Sequence, residues 1–557
     1  MANDGPSMLK LLLNRKILGF MMKSRTRKLM KSMKDGNIFL SELDKKPDKE
    51  AIIYGEKRFT YKAFKERINR LNNGLLSLGL KGGDHIAAFL GNSNVFLEVI
   101  YGTSLAGIYS TPINWHLKGD EIEYVVNNSD SQALFIDEEF LDRIMPNRSR
   151  LKSVKNFIVV GEKVPEGMIP YERFLSESAG AELKTTTRGG GFMLYTSGTT
   201  GRPKGTHSRS LEDPSVLDPS DIAAFVQMID NIMNGFDYCK TTNIHLAAGP
   251  LYHGGPIGFV GSTFANGGTV VIMDKFDSEE TLRLIEKEKV STTFMAPILL
   301  RRILECPTKE KYNVSSMKSI VCGAAPCPVE LKKRVVDYFG PVLYELYGST
   351  DGAVNSILRP KHYLKDPKKF ASVGQIAPGN KILIVDENNN TAPTGTIGDL
   401  YVTNAMVKYL EYYKDPDKTE NSFVDFDGKR YFIEGEVAYL DDEGFCYIVD
   451  RKKDMIISGG VNIYPVEIEE VIFLHESVSD VAVIGVPDEE WGESVKACIT
   501  LKEDKSATEE EIIEYCNERL AGYKRPKSVD FLGEIPRNPD GKLMKRKLRE
   551  RYKSAVK

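Results

Sequence analysis

The sequence predicts an α/β protein with several domains, and three features of the chain indicate it. Its 557 residues exceed the size that one hydrophobic core usually organises. From about residue 84, short β-branched runs alternate with amphipathic stretches of helix length, which is the pattern of βαβ units around a parallel sheet. Beyond Asp366 the chain becomes rich in strands and turns, and from about Asp454 a last segment has its own strands and helices.

Two successive runs of strands predict two doubly wound α/β lobes. The first run comprises His85–Leu90, Ile108–Ile113, Ala133–Ile136 and Phe157–Val160, and the second comprises Ile244–Ala248, Thr269–Met273, Thr292–Ala296 and Ser319–Cys322. Helices are expected between the strands, for example at Glu279–Lys289 and Pro328–Phe339. In such sheets ligands bind beyond the carboxyl ends of the strands, so functional residues are expected there.

The remaining segments predict a small twisted β-subdomain and a compact C-terminal domain. Turn residues at Asp386–Asn390, Asp427-Gly428 and Asp442–Gly444 separate the short strands of the subdomain. The C-terminal domain has about 100 residues, enough for a mobile unit with its own core. Its predicted elements are strands at Val481–Val486 and Ala497–Leu501 and a helix from Glu509, with Thr508 and Glu511 in capping-box register.

Composition indicates an ordinary globular protein in a reducing compartment such as the cytoplasm. The chain is 41% hydrophobic and 27% charged, and its net charge of −3 disfavours nucleic acid as a partner. The seven cysteines include one close pair, Cys322 and Cys327, without the second pair that a zinc site needs. Reduced thiols are therefore expected rather than disulfides or a structural metal.

The N-terminal extension, residues 1–40, differs from the rest of the chain. Between Met8 and Lys34 there are nine basic residues and no acidic residue, interleaved with Leu, Ile, Phe and Met. The apolar runs are too short to span a bilayer. Two interpretations remain open: a basic amphipathic helix on an anionic membrane surface, and a helix packed on the domain or on a partner.

The segment Tyr195–Gly205, YTSGTTGRPKG, has the composition of a phosphate-binding loop. Glycines let backbone amides approach a polyanion, hydroxyl groups donate hydrogen bonds and a lysine adds positive charge. It is not a Walker loop, because Lys204 is followed by a glycine and not by Ser or Thr. A plain surface loop is the alternative. The candidate phosphate ligands are Thr196, Ser197, Gly198, Thr199, Thr200, Gly201 and Lys204.

Five further motifs follow in order, and together with the loop they identify a family. They are GPLYHGG from Gly249, CGAAPCP from Cys322, YELYGSTDG from Tyr344, the block Tyr431–Glu469, and PRNPDGKLMK from Pro536. From about residue 50 to its end the chain resembles the acyl-adenylate-forming superfamily of acyl-CoA synthetases, luciferases and peptide-synthetase adenylation domains. The resemblance implies an AMP-binding N-terminal domain, residues 41–452, that contains both lobes and a distorted β-barrel subdomain. A smaller α+β C-terminal domain, residues 453–557, would rotate about a hinge at Lys453.

The resemblance also implies the reaction and its co-substrates, ATP, Mg²⁺ and coenzyme A. In the family a carboxylate attacks the α-phosphate of ATP to give an acyl-adenylate, and a thiol then attacks the acyl carbonyl. Thr350 and Asp351 match a threonine–glutamate pair whose hydroxyl contacts phosphate and whose carboxylate helps to hold magnesium. The aspartate of this chain is one methylene shorter than the family's glutamate, and its carboxylate still suits a hard cation.

Nucleoside recognition is implied for two groups of residues. Gly323, Ala324, Ala325 and Pro326 resemble the segment that lines the adenine, while Tyr347 would stack on the base and Gly348 and Ser349 follow it. The ribose is bound in the family by the aspartate of a Thr-Gly-Asp triplet and by a later arginine. This chain has Glu434-Gly435-Glu436 and Arg451 instead, so Glu436 must reach the ribose from a backbone position set for a shorter side chain.

Lys542 matches the family's adenylation lysine, which bridges the carboxylate and the α-phosphate. A solvated lysine in a basic tail with Lys545, Arg546, Lys547 and Arg549 is the alternative. Ser458, Gly459, Gly460, Tyr523 and Lys524 match the residues that face CoA after the domain has rotated. His253 matches a position beside the acyl pocket, and a packed histidine is the other interpretation.

Three functional hypotheses follow from these assignments. The first is an AMP-forming acid–CoA ligase acting on an apolar acid, a fatty acid or an aryl, alicyclic or steroid side-chain acid. The second is an adenylating enzyme that loads a carrier protein, although the chain has no attached carrier or condensation module. The third is a catalytically weakened homologue that binds nucleotide or acyl-CoA, suggested by the acids at positions 351 and 436.

Overall fold

The computed structural model describes residues 40, 42–183, 190–196, 203–208, 236, 243–537 and 542–553. The chain divides into two compact units. The first comprises the residues up to Ala247 together with Leu251–Asp274 and Tyr409–Thr419. The second comprises Ala248–Pro250, Lys275–Lys408 and the chain from Glu420 onward. The N-terminal extension lies outside the described residues, except for Leu40.

The first unit contains a parallel sheet with the predicted strand run. Its strands lie in the order Ile169–Pro170, Asn156–Val160, Ser131–Asp137, His85–Phe89, Tyr109–Pro112, Gly191–Phe192. Each neighbouring pair is parallel. The four predicted strands are confirmed to within two residues at each end. The central strand is buried along its whole length, as its unbroken apolar sequence requires in a sheet covered on both faces.

A second group of strands in the same unit lies in the order Ile244–Ala247, Thr269–Ile272, Glu50–Tyr54, Lys57–Thr60. The hairpin Glu50–Thr60 was not predicted from the sequence. The helices of this unit are Tyr61–Ser77, Asn94–Gly102, Asp120–Asn128, Leu141–Ile144, Tyr171–Glu177 and Gly254–Ala265. Phe264 is fully buried and packs against the rings of Tyr61, Phe64 and Tyr101, which fixes the last helix against the first two.

The second unit contains the other two strands of the second predicted run, so that run is divided between the two units. Thr292–Met295, Ser319–Cys322 and Leu343–Ser349 are parallel neighbours. Ala353–Leu358 pairs antiparallel with Leu343–Ser349, and Gln375–Ile376 pairs antiparallel with Ala353–Leu358. The helices are Ser278–Glu288, Pro297–Glu305, Val329–Phe339 and Pro360–Lys365. The predicted helices are confirmed to within one residue. Two of the predicted site segments, residues 323–326 and 347–351, lie at the carboxyl ends of the neighbouring parallel strands Ser319–Cys322 and Leu343–Ser349.

The β-subdomain is confirmed as an antiparallel sheet. Its strands are Lys381–Val385, Gly398–Thr403, Lys429–Leu440, Phe423–Phe426 and Cys446–Arg451. A further short helix spans Pro416–Asn421. Asp427-Gly428 forms the predicted hairpin turn, with positive φ at both residues. This sheet carries Glu434, Glu436 and Arg451, so the triplet and the arginine come from neighbouring strands.

The C-terminal segment forms a smaller domain with its own core. Its strands lie in the order Val461–Ile463, Ile456–Ser458, Gly492–Leu501, Val478–Asp488, with Ser528–Phe531 parallel to Gly492–Leu501. The helices are Pro465–Phe473, Glu509–Asn517 and Lys545–Lys553. Ile468, Ile472, Val483, Ile499 and Ile512 are fully buried between the sheet and the helices. None of the described helices is long and apolar enough to cross a membrane.

The predicted capping box at Thr508 is present. Glu511 N–H donates to Thr508 Oγ1 at 3.2 Å, and Thr508 N–H donates to Glu511 Oε2 at 2.8 Å. Each bond satisfies a backbone donor that the first turn of the helix leaves without an intrahelical partner.

Thr508→Ala removes the hydroxyl acceptor of the capping box. We expect the free energy of local opening of helix 509–517 to fall by about 0.5–2 kcal/mol, the usual cost of a lost N-cap. Amide hydrogen exchange across the helix measures this change. Thr508→Ser keeps the acceptor and serves as the control, and equal protection in the alanine and serine variants would show that the cap does not stabilise the helix.

Candidate functional site

The two ends of the predicted phosphate-binding loop lie on two paired strands of the first unit. Tyr195–Thr196 pairs antiparallel with Lys204–Ser208, so Thr196 lies opposite Lys204. The Tyr195 hydroxyl donates to Asn128 Oδ1 at 2.7 Å, and Lys204 Nζ lies 5.6 Å from the ring centre of Tyr412. Ser197, Gly198, Thr199, Thr200 and Gly201 lie outside the described residues. The pairing therefore places the hydroxyl group of Thr196 and the ammonium group of Lys204, at the two ends of the loop, on residues that lie side by side.

Thr350 and Asp351 lie in a tight turn between the strands Leu343–Ser349 and Ala353–Leu358. The N–H of Gly352 donates to Ser349 Oγ at 2.6 Å, and Asn404 Nδ2 donates to the carbonyl of Gly352 at 3.0 Å. Thr350 is exposed and Asp351 is partly buried. One carboxylate beside a hydroxyl fits Mg²⁺, which takes few protein ligands when substrate phosphates and water supply the others.

Glu434 contacts this turn, and the sequence did not predict it as a site residue. Its Oε1 accepts hydrogen bonds from Asn355 Nδ2 at 2.7 Å and from Ser349 Oγ at 3.1 Å. Burial, and next the negative charge of Glu436, raise the pKa of Glu434 to about 8. The one sequence feature that could have indicated Glu434 is that an acid stands where the family has threonine. Its partners, Asn355 and Ser349, are 79 and 85 residues away along the chain, so the sequence did not show what the acid contacts.

The ribose residues are brought together on neighbouring strands. Glu436 and Arg451 are direct partners in the sheet register, with Arg451 Nε 3.8 Å from Glu436 Oε1. The Tyr347 hydroxyl donates a hydrogen bond to Glu436 Oε2. Burial and the Glu436 carboxylate raise the pKa of Tyr347 well above its usual value, so the tyrosine remains a neutral donor. The longer side chain of Glu436 thus reaches the residue predicted to stack on adenine.

The predicted adenine segment lies beside Tyr347. Cys322 pairs with Glu345 in the parallel sheet, so residues 323–326 leave their strand next to Leu346 and Tyr347. Gly323 is buried and its N–H donates to the carbonyl of Met295 at 3.2 Å, while Ala324 and Pro326 are exposed. Small exposed side chains next to an aromatic ring leave a flat surface on which a base can lie.

Lys542 follows a loop whose two ends are held together. Arg537 and Leu543 form a β-bridge, and Met544 N–H donates to the carbonyl of Pro536 at 2.8 Å. Arg537 also makes hydrogen bonds of 2.8, 3.0 and 3.1 Å to the carboxylate of Asp480. Pro539, Asp540 and Gly541 lie outside the described residues.

Lys545 is not a solvated residue of a basic tail. It is buried and lies 2.8 Å from Glu469. Burial by itself would lower its pKa, but Glu469 and Asp450 raise it, so the lysine remains charged. Lys542 therefore stands between two anchored residues, Arg537 and Lys545.

The predicted hinge residue, Lys453, also has anchored neighbours. It lies in the short 3₁₀ turn Lys452–Asp454 and is exposed. Lys452 Nζ lies 2.6 Å from Asp399 Oδ2, and Arg549 Nη2 lies 2.7 Å from Asp454 Oδ1. The residues on both sides of Lys453 belong to the second unit, and Val466 N–H donates to Asp450 Oδ2 at 3.1 Å across it.

The predicted CoA residues form a hairpin turn, Ser458–Gly460, and a separate pair, Tyr523 and Lys524, on the C-terminal domain. Ser458 pairs with Val461 across Gly459-Gly460, whose φ angles of 57° and 78° belong to the left-handed region that a two-residue hairpin requires. The indole of Trp491 leaves no space for a Cβ at Gly459. Tyr523 is 53% exposed, and Lys524 Nζ lies 2.7 Å from both carboxylate oxygens of Glu467.

His253 lies at the N-terminus of the helix Gly254–Ala265 in the first unit. Its ring centre is 4.2 Å from that of Tyr252, which packs edge-on against Trp115 at 4.6 Å. Gly254 and Gly258 lie one turn apart on this helix. No atom of the described residues lies within 4 Å of where a Cβ of Gly258 would stand.

Comparison with known proteins shows the family. The profile of the AMP-binding enzymes matches residues 39–410, and the profile of the AMP-binding enzyme C-terminal domain matches residues 467–542. A feruloyl-CoA synthase of Amycolatopsis sp. is 30% identical over 513 residues, covering 91% of this chain and 96% of its own. The long-chain-fatty-acid–CoA ligase FadD13 of Mycobacterium tuberculosis (strain CDC 1551 / Oshkosh) is 31% identical over 514 residues, covering 90% and 94%.

Solved structures agree with this assignment. ATP-bound MatB from Rhodopseudomonas palustris aligns with a TM-score of 0.80 and 27% identity, covering 94% of this chain and 100% of MatB. The chain belongs to the AMP-binding enzyme family and is an AMP-forming acid–thiol ligase of the acyl-CoA synthetase class. Enzymes of this family bind a carboxylic acid, ATP and CoA.

Proposed function

We propose that the protein is an acyl-CoA synthetase that activates a fatty or other apolar carboxylic acid as an acyl-adenylate and transfers the acyl group to CoA. The observation that carries the proposal is the grouping of Tyr347, Glu436 and Arg451 beside the turn of Thr350 and Asp351. An aromatic ring for the base, a carboxylate acceptor and a guanidinium donor for the ribose, and a turn for the phosphates are the parts that a nucleotide site needs.

In the first half-reaction the protein holds ATP while the acid attacks its α-phosphate. The loop Thr196–Lys204 and Thr350 would bind the phosphates, residues 323–326 and Tyr347 the adenine, and Glu436 with Arg451 the ribose. Asp351 would hold Mg²⁺, which neutralises phosphate charge. The ammonium group of Lys542 would lie between the attacking carboxylate and the α-phosphate, where negative charge increases in the transition state.

In the second half-reaction a thiol replaces AMP on the acyl group. The C-terminal domain, residues 453–557, would rotate about Lys453 so that Lys542 leaves and the Gly459-Gly460 turn approaches the acyl-adenylate. The two glycines carry no side chains of their own, and the indole of Trp491 packs against Gly459. Tyr523 and Lys524 would contact CoA, and the exposed ring of Tyr523 is available to it.

An apolar acid is supported by the residues around His253. Tyr252 and Trp115 supply aromatic surface, and no atom of the described residues lies within 4 Å of a Cβ placed at Gly258 of the following helix. FadD13 is named for a long-chain fatty acid and the synthase of Amycolatopsis for ferulate, both acids with a large apolar part.

A panel of fatty, aromatic and alicyclic acids, each scored for AMP and acyl-CoA formation with purified full-length chain, tests the proposal. We expect AMP release that depends on Mg²⁺ and on an apolar acid, with free CoA as the acceptor. Transfer to a carrier protein but not to CoA would favour the carrier-loading hypothesis. Absence of AMP with every acid, in protein shown to be folded, would contradict the proposed activity.

Lys542→Ala tests the alternation of the two half-reactions. We expect adenylation to fall by about 10²–10³-fold, the scale for loss of one transition-state donor, because no other charge replaces the ammonium group. Thioester formation from supplied acyl-adenylate should remain, since Lys542 has left the site in that step. Pyrophosphate release and acyl-CoA formation measure the two steps.

Lys547→Ala is the matched control, because Lys547 is exposed on the same basic stretch. Its rates should equal those of the wild type. An equal fall of both half-reactions in Lys542→Ala would contradict domain alternation.

The N-terminal extension is proposed to bind anionic membrane surfaces. Deletion of Met1–Lys34 removes nine basic residues, so we expect less sedimentation with anionic vesicles and unchanged turnover of a water-soluble acid. Vesicles of zwitterionic lipid are the control. Unchanged sedimentation after deletion would reject membrane binding by this segment.

A further inference from the structure

Glu434 stands out among the acidic residues of the second unit because it occupies the position of the threonine in the family's Thr-Gly-Asp triplet. It lies on the strand Lys429–Leu440, in a different sheet from the turn that carries Thr350 and Asp351. Its side chain is nevertheless directed at that turn. Its Oε1 accepts from Ser349 Oγ on one side of the turn and from Asn355 Nδ2 on the following strand.

The hydrogen bonds of Glu434 fix the turn at its first residue, Ser349, and at Asn355 on the strand that follows it. Ser349 Oγ donates to Glu434 and accepts from the N–H of Gly352, so the hydroxyl links the carboxyl group to the closing residue of the turn. Asn355 has no exposed surface, and its bond to Glu434 fixes the carboxyl group against the strand after the turn. Asn404 holds the Gly352 carbonyl from a third segment.

Gly352 packs directly on the carboxyl group. A Cβ at this position would overlap Glu434 Oε1, so the backbone of the turn lies against the acid with no side chain between them. The contact leaves the turn little freedom to move toward the strand of Glu434. Thr350, which is exposed, and Asp351 are the two residues between these anchored positions.

We propose that Glu434 is a positioning residue for the adenylation half-reaction: its carboxyl group holds the Ser349–Gly352 turn so that Thr350 and Asp351 face the nucleotide phosphates. The proposal rests on the nucleotide-binding role proposed above for that turn. Glu434 acts through Ser349, Asn355 and Gly352 and does not contact substrate. Positioning of this kind matters because a reacting group displaced by about 1 Å can lose about 10²-fold in rate.

Direct binding of magnesium by Glu434 is the competing role. Oε1 of Glu434 is already engaged by two donors of the protein. The two roles differ in their demand for charge: positioning needs an acceptor of the right length, whereas metal binding needs an anion.

Three substitutions separate these roles in the full-length chain. Glu434→Gln keeps the length and the Oε1 acceptor, Glu434→Ala removes both, and Asn355→Ala breaks the same link from its other side. Asp425→Ala is the matched control, since Asp425 is an exposed carboxylate on the adjacent strand Phe423–Phe426. Pyrophosphate release, acyl transfer from supplied acyl-adenylate, and calorimetric binding of Mg-ATP without acid are measured for each variant.

We expect Glu434→Ala and Asn355→Ala to lower the adenylation rate by about 10- to 100-fold, the usual effect of removing a residue that supports a metal-binding ligand. Mg-ATP binding should weaken in parallel, and acyl transfer from supplied acyl-adenylate should match the wild type. Glu434→Gln should remain close to the wild type in all three measurements and at every Mg²⁺ concentration. Asp425→Ala should show no change.

Three outcomes would overturn the positioning role. They are wild-type adenylation in Glu434→Ala, an equal fall of both half-reactions, and a Gln variant that is as impaired as the Ala variant and needs more Mg²⁺. The binding measurement keeps this inference distinct from the proposed activity. Suppose that no acid yields AMP, but Glu434→Ala weakens Mg-ATP binding while Glu434→Gln does not. That result would support the positioning role and contradict the proposed activity.

Discussion

The contact between the Glu434 carboxyl group and the turn of residues 349–352 is the constraint on which the candidate nucleotide site depends. A carboxyl group in this position is costly as an anion, because burial and the neighbouring Glu436 and Asp351 all disfavour its charge. Hydrogen bonds from Ser349 and Asn355 offset part of that cost. The same bonds fix the backbone of the turn that carries Thr350 and Asp351.

The α/β sheet of the second unit supplies the other part of the site. Two neighbouring parallel strands end at one edge, which brings the segment after Cys322 beside Tyr347. The antiparallel sheet then contributes Glu436 and Arg451 as register partners, and Glu436 reaches the tyrosine hydroxyl. This hydrogen bond uses one oxygen of the Glu436 carboxylate, and the other oxygen lies on the side of Arg451. A ribose would therefore meet a carboxylate whose orientation is fixed by Tyr347 and Arg451.

The C-terminal domain combines anchored segments with exposed functional residues. Buried or partly buried ion pairs hold Arg537 to Asp480, Lys545 to Glu469 and Arg549 to Asp454. Lys453, Gly459 and Gly460 are exposed. These ion pairs would let the domain move as one body in the rotation proposed above.

Local patterns in the sequence were sufficient for the elements whose cause is local. Alternating apolar runs predicted the parallel strands at residues 85–90 and 319–322, Thr508 and Glu511 predicted a helix start, and Asp427-Gly428 predicted a hairpin. Motifs identified the family and most of the candidate site, because glycine, hydroxyl and charged residues at fixed spacing reflect the demands of a nucleotide. The hairpin Glu50–Thr60 and the burial of Lys545 were not predicted, since neither has a distinctive local pattern.

The tertiary structure alone decided which distant residues meet. Glu434 and Ser349 are 85 residues apart, and Tyr347 and Glu436 are 89 residues apart, in strands of different sheets. Periodicity shows which face of a strand is buried, but it contains no information on which strand of another sheet will pack nearby. The sequence by itself therefore determined the class of enzyme and the types of its elements. The packing of two sheets decided that an acid in place of a threonine would lie under the turn of Thr350 and Asp351.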